Sequence, residues 1–149
     1  FCNLLQRQFL DGKVGKIYRA RVHGSPQWET KTCESAISVE PVGPGARVTD
    51  ENGLAARTDF KVIERLPDGT SLLEVRLGSG RTNQIRVHLW EMGFPLVGDP
   101  CYLPDGKMGD KQTLEVDDAP MELEAWKLVF THPVSGERMS FEHRTYAAK

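Results

Sequence analysis

Residues 78–102 read GSGRTNQIRVHLWEMGFPLVGDPCY. Gly78 and Gly80 interrupt a preceding run of alternating apolar residues. Beyond them Ile85, Leu89 and Met92 recur at i, i+4 and i+7, and Gly93 stands where a helix of that period would stop. The spacing predicts a helix beginning just after Gly80. Its first turns hold Arg81, Thr82, Gln84, Arg86 and His88. Helical geometry puts Arg81, Gln84 and His88 on one face with Ile85, and Asn83, Arg86 and Trp90 on another. Polar donors crowded at the positive end of a helix suit an anion or a carboxylate. A helix with a solvated polar side accounts for the same composition.

Outward from this stretch, hairpin signals outnumber strand–helix alternation. Phe60–Leu66 and Ser71–Leu77 flank Pro67-Asp68-Gly69-Thr70, a turn composition with a backbone reason behind it. Leu128–Thr131 and Met139–Phe141 flank Pro133-Val134-Ser135-Gly136 in the same way. Lys16 to Val22 alternates as a strand, with Tyr18, Ala20 and Val22 on one face and Ile17, Arg19 and Arg21 on the other. Leu4, Leu5, Gln8 and Phe9 have helical spacing, so residues 1–10 read as the end of a helix stopped at Asp11-Gly12. Ser25-Pro26 opens a long irregular region through Gly45. The fold class expected is α+β, with a mixed, mainly antiparallel sheet and a few short helices.

The chain has 149 residues, with 19 Lys and Arg against 21 Asp and Glu, and a 39% hydrophobic share that suits one globular domain. No window has the run of about 18 apolar residues a membrane span requires, so no membrane partner is expected. Charge is uneven along the chain. Residues 1–24 carry five bases (Arg7, Lys13, Lys16, Arg19, Arg21) against Asp11, whereas residues 105–124 carry two lysines against seven acids. A nearly neutral chain can thus still present one basic face. Three cysteines without a C-x-x-C pair argue against a disulfide framework, and four histidines without an H-x-x-x-H pair argue against a metal site. A reducing, cytoplasmic setting is the expectation. No G-x-G-x-x-G, P-loop or G-x-S-x-G run occurs, since Asn83 stands where a third glycine would be needed.

GRTNQIRVHL followed by GFPLVGDPCY resembles the GRTHQIRVHL…GHPIVGDPLY motif of the RluA-like RNA pseudouridine synthases. Lys16-Ile17-Tyr18-Arg19-Ala20 is similar to that family's K-x-Y-x-A strand, preceded by an L-x-x-Q-F helix end from Leu5 to Phe9. Leu128-Val129-Phe130-Thr131-His132-Pro133 resembles its L-x-F-x-H-P segment. The likeness runs over residues 1–142. Thr82 and His88 distinguish it from the sibling class that reads roughly GRNRQIRRM at this place.

This resemblance implies isomerisation of uridine to pseudouridine in ribosomal or transfer RNA, by C1′–N1 cleavage and reattachment through C5. It implies a cleft that admits a flipped uridine, no cofactor, and a monomer with RNA as its partner. Arg86 matches the motif arginine that lies against the catalytic aspartate, where a two-pronged guanidinium would orient a carboxylate and keep it ionised. Tyr18 matches the tyrosine beside the target base, proposed to take part in proton transfer. Arg81, Thr82, Gln84 and His88 are the expected RNA-binding residues. The family's H-R-L-D nucleophile motif is absent from residues 1–149, and the resemblance places it shortly upstream of Phe1. The expectation is therefore the C-terminal portion of a catalytic domain, inactive alone. Asp99, in the V-G-D-P turn, is expected to be structural. Asn83 stands for the motif histidine, and Glu124 for the histidine of L-H-A. Two other functions fit the same chain: a non-catalytic RNA-binding module, and a protein-interaction domain using the acidic 105–124 segment.

Overall fold

Strand β1 (Gly15–His23) is the axis of the molecule. In the computed structural model, which describes residues 2–10, 14–78 and 80–142, it pairs on one side with β4 (Thr70–Leu77) and on the other with β5 (Leu123–Thr131). The sheet continues outward through β3 (Thr58–Arg65) and β2 (Thr30–Cys33) at one edge and through β6 (Arg138–Glu142) at the other. Its order is β2-β3-β4-β1-β5-β6, and each of these pairings is antiparallel, so the expected mixed sheet is antiparallel throughout the described residues. Both expected hairpins form. β2 lies inside the segment expected to be irregular. Four residues, TKTC, of which only Cys33 is buried, carry too little pattern to betray a strand.

Alternation on β1 is as its sequence dictates. Ala20 and Val22 are buried with Phe60, Val62, Leu73 and Val75 on one face of the sheet, and Tyr18 packs against that cluster. Helix α2 (Gln84–Glu91) lies on this face, delivering Ile85 and Leu89 to the same cluster. The opposite helix surface meets a second cluster, in which Val87 packs with Ile37, Ala46, Ala56, Cys101 and Tyr102. The helix is therefore covered from two sides. Six consecutive residues, Gln84 to Leu89, are buried, which overturns the solvated polar side that the composition of the helix allowed.

Helix α1 (Cys2–Leu10) matches the expected helix, and Gln8 ties it to β5 by donating to the Thr131 carbonyl and accepting from the Thr131 amide. The expected stop at Asp11-Gly12 lies outside the described residues. At Gly98 a positive φ of 83° and the nearness of the Met121 Cα, 3.1 Å from where a Cβ would stand, explain the glycine of V-G-D-P. The chain passes there directly beneath the segment entering β5.

Candidate active site

Arg86 projects from α2 into a socket built by the chain segments around it. Asn83 opens the helix in the left-handed conformation (φ 57°, ψ 20°), a geometry that asparagine tolerates better than most residues. Its side chain makes no cap bond to the helix. Instead its Oδ1 accepts from Arg86 Nη1 at 3.4 Å. Asp99 takes the other side of the guanidinium with both oxygens, from Nε at 2.7 Å and from Nη2 at 2.8 Å. Gln112 completes the ring of acceptors, with Oε1 3.0 Å from Nη1 and its carbonyl 3.2 Å from Nη2. All five guanidinium donors are thus answered by this chain. Burial opposes the charge of Arg86, but the Asp99 carboxylate outweighs burial and raises the guanidinium above its ordinary value. The Tyr102 ring lies 5.0 Å from the guanidinium carbon, and its hydroxyl is fixed by the Arg47 amide and carbonyl.

Asp99 is the carboxylate that meets Arg86 among the described residues. Its side chain is 0% exposed. Besides Arg86, Oδ1 accepts the Cys101 amide at 2.9 Å and the Tyr102 amide at 3.0 Å. A carboxylate with both oxygens occupied and no exposed surface has nothing to offer a substrate. Its role is to pin the arginine to the V-G-D-P turn, so the second half of the quoted stretch explains the first.

Gln84 and His88 are buried with Ile85, the residue that shares their face of the helix. Gln84 donates to the Arg57 carbonyl at 2.7 Å and to Thr58 Oγ1 at 2.9 Å, and its Oε1 accepts the Arg81 amide at 3.0 Å. His88 is 0% exposed. Its Nε2 is 2.8 Å from the Ser35 carbonyl, which only accepts, so Nδ1 is the acceptor for the Thr58 hydroxyl at 2.8 Å. The Cys33 thiol sits beside this ring. Burial works against charge on either group, yet the pair pulls the imidazole upward and the thiol downward. These two motif residues, expected to bind RNA, instead tie the helix to the start of β3 and to Ser35 just after β2, on the buried side they share with Ile85. Arg81 and Thr82 are exposed at the turn that precedes the helix, and Arg81 Nε anchors to the Ala55 carbonyl at 2.8 Å.

Tyr18 occupies the expected face of β1, half-buried, its ring against the main cluster. It lines an open groove of about 460 Å³ together with Lys16, Ile17, Ala125, Trp126, Lys127, Leu128, Phe141 and Glu142. The groove follows a bulge between Ile17 and Tyr18, where β5 inserts one extra residue, Trp126, opposite β1. On the other face of β1 Arg19 stacks its guanidinium on the Trp126 ring, 3.5 Å from the centroid. Tyr18 and the helix that carries Arg86 therefore share one side of the sheet. Among the described residues no group of three or more His, Cys, Asp or Glu is arranged to hold a metal ion.

Two residues of this site had no signal of their own in the sequence. Gln112 lies in the acidic segment with no periodicity around it, and Tyr102 reads as an ordinary apolar residue. His132 is better accounted for by its motif. Its Nδ1 accepts the Val134 and Ser135 amides at 3.2 and 3.1 Å, closing the turn between β5 and β6.

A buried motif arginine pinned by the V-G-D-P aspartate, on the sheet face that bears the K-x-Y-x-A tyrosine, defines a pseudouridine synthase architecture. The chain belongs to the RNA pseudouridylate synthase family, whose model matches residues 1–91. It is 40% identical over 144 residues to ribosomal large subunit pseudouridine synthase D of Neisseria meningitidis serogroup B, covering 94% of this chain and 38% of that protein. It is 32% identical over 140 residues to the dual-specificity RNA pseudouridine synthase RluA of Yersinia pestis, covering 93% of this chain and 64% of that protein. The human RNA pseudouridylate synthase domain containing 1 superposes with a TM-score of 0.77 at 27% identity, covering 96% of this chain and 59% of that one. The chain spans 43% of an uncharacterized pseudouridine synthase of Bacillus subtilis to which it is 36% identical, and it covers less than two thirds of the length of each of these relatives.

Proposed function

We propose that this chain forms the arginine- and tyrosine-bearing part of the site of an enzyme that converts uridine to pseudouridine in ribosomal or transfer RNA. The observation that carries it is the Arg86 socket. A guanidinium locked by Asp99 through Nε and Nη2 leaves Nη1 to two neutral amide oxygens, of Asn83 at 3.4 Å and Gln112 at 3.0 Å, and a second carboxylate would take their place there. In this reading Arg86 holds the nucleophilic aspartate ionised, and Tyr18 serves proton transfer at the base. Arg81 and Thr82 touch the RNA backbone, while Gln84 and His88 shape the turn that presents them. Asp99 is sealed and no H-R-L-D motif occurs in the chain, so the nucleophile comes from outside these 149 residues. The enzyme works as a monomer in the cytoplasm, a setting in which the buried thiols of Cys33 and Cys101 stay reduced.

The test is tritium release from ribosomal and transfer RNA labelled at C5 of uridine. The 149-residue chain alone should bind RNA, with affinity falling steeply as salt rises, and release no tritium. An enzyme that joins this chain to the H-R-L-D segment should turn over, and Arg86→Lys in it should abolish release while keeping RNA affinity, since lysine cannot reproduce a planar two-pronged contact. Turnover by the isolated chain would place a nucleophile within it. Wild-type rates in Arg86→Lys would remove the clamp.

A further inference from the structure

The groove beside Tyr18 extends further than one base requires. Across β1, β5 and β6 the register sets Lys16 opposite Leu128 and Leu128 opposite Phe141, and it sets Tyr18 opposite Ala125. Cross-strand partners share a face, so Tyr18, Lys16, Leu128 and Phe141 line the same side of the sheet. The small Ala125 leaves a hollow next to Tyr18, and the volume of about 460 Å³ is in the range of roughly 300–1,000 Å³ common for ligand clefts. At its outer rim Phe141 is 53% exposed. One of its faces is stacked on Phe130, with centroids 5.7 Å apart and planes 15° from parallel. Phe130 is itself 9% exposed, so the outer ring rests on a fixed support. Lys127 pairs with Glu142 at 3.0 Å, but these two are in cross-strand register with Ile17 and lie on the opposite side of the sheet; Lys16 is the strand residue that brings charge to the side of the ring.

We propose that the Phe141 ring is a second nucleobase subsite, stacking the unpaired base next to the one that Tyr18 receives; this rests on the uridine reading of the groove. An exposed aromatic plane backed by a buried ring recognises a flat base by stacking. Its continuity with the Tyr18 hollow makes the neighbouring nucleotide of the same strand its occupant. The enzyme would then take its uridine from an unpaired stretch at least two nucleotides long. Base–aromatic stacking accepts every base, so the subsite selects single-strandedness and not sequence.

The experiment is an NMR titration of the 149-residue chain with the tetraribonucleotide UUUU and with the same strand carrying one abasic ribose, following the ring resonances of Tyr18 and Phe141. UUUU should move both rings. Phe141→Leu, which keeps apolar bulk on β6 but loses the plane, should lower UUUU affinity on the order of tenfold, and Phe141→Trp should retain it. The abasic strand should bind the wild type about as weakly as UUUU binds Phe141→Leu. Movement of Tyr18 with an unmoved Phe141, or equal UUUU affinity in wild type and Phe141→Leu, overturns the subsite and leaves the uridine reading standing. No movement at either ring up to millimolar UUUU overturns both. Concentration-dependent shifts along β6 without RNA would assign the face to a second copy of the chain and overturn the subsite.

Discussion

Arg86 and Asp99 form a pair whose energetic behaviour depends on which partner is removed. Asp99→Ala leaves a guanidinium buried with two of its five bonds unanswered, and a buried pair broken in this way usually costs about 3–5 kcal/mol. Arg86→Met strands the carboxylate, although the Cys101 and Tyr102 amides still hold it. Replacing both residues with apolar ones of similar size removes the desolvation cost as well as the attraction. The double variant Arg86→Met/Asp99→Leu should therefore be more stable than either Asp99→Ala or Arg86→Met alone. Urea unfolding of the four proteins checks this, and additive losses would show that the two side chains act independently. The charge at this place is then a matter of chemistry and geometry more than of fold stability.

The β3–β4 hairpin turns on Asp68, whose Oδ1 accepts the Thr70 amide at 3.0 Å and the Thr70 hydroxyl at 2.6 Å, while Oδ2 faces Arg21 of β1. Those bonds from Thr70, followed by Arg21, hold the Asp68 carboxyl below its ordinary range. A carboxyl depressed in the folded state stabilises fully above its unfolded value and loses that contribution as pH falls through the folded one. The melting temperature should drop as pH falls below about 4, and Asp68→Asn should flatten that part of the profile while lying below the wild type at pH 7. Melting curves from pH 3 to 7 decide it; a variant as acid-sensitive as the wild type would remove Asp68 from the account. This hairpin was readable in the sequence because period-two alternation and a Pro-Asp-Gly turn are local. The surroundings of α2 were not. Ile85, Leu89 and Met92 showed which side meets the sheet, but the second cover comes from Ile37, Ala46, Ala56 and Tyr102, placed in segments with no period. Gln84 and His88 therefore read as RNA-binding groups, and their partners Thr58 and Ser35 were not legible. Tyr18 was legible from alternation on its own strand, whereas the partners of Arg86 lie 13 and 26 residues further along the chain, where neither alternation nor helical spacing reaches.

At the scale of the molecule, the sheet depends on pairings between distant parts of the chain: Tyr18 of β1 sits between Val75 of β4 and Ala125 of β5. A chain ended at residue 121 would keep β1 to β4 and α2 but leave one side of β1 unpaired, with Tyr18 and Ile17 uncovered. Such an open apolar edge favours association. The shortened chain should elute as aggregates in size-exclusion chromatography where residues 1–149 are expected to elute as a monomer, and a monomeric shortened product would show that β5 and β6 are dispensable. The same geometry bears on how the protein is made. The ribosome delivers the central strand of the sheet first and the strand that seals its second side more than a hundred residues later, at about 5–20 residues per second. For several seconds the nascent chain holds its axis half-built, and long-range pairing of this kind is slow to form even when every residue is present. A codon-level pause before residue 123, or a scarcity of chaperones that shield such edges, would reduce the yield of folded enzyme without changing a single contact in the finished structure.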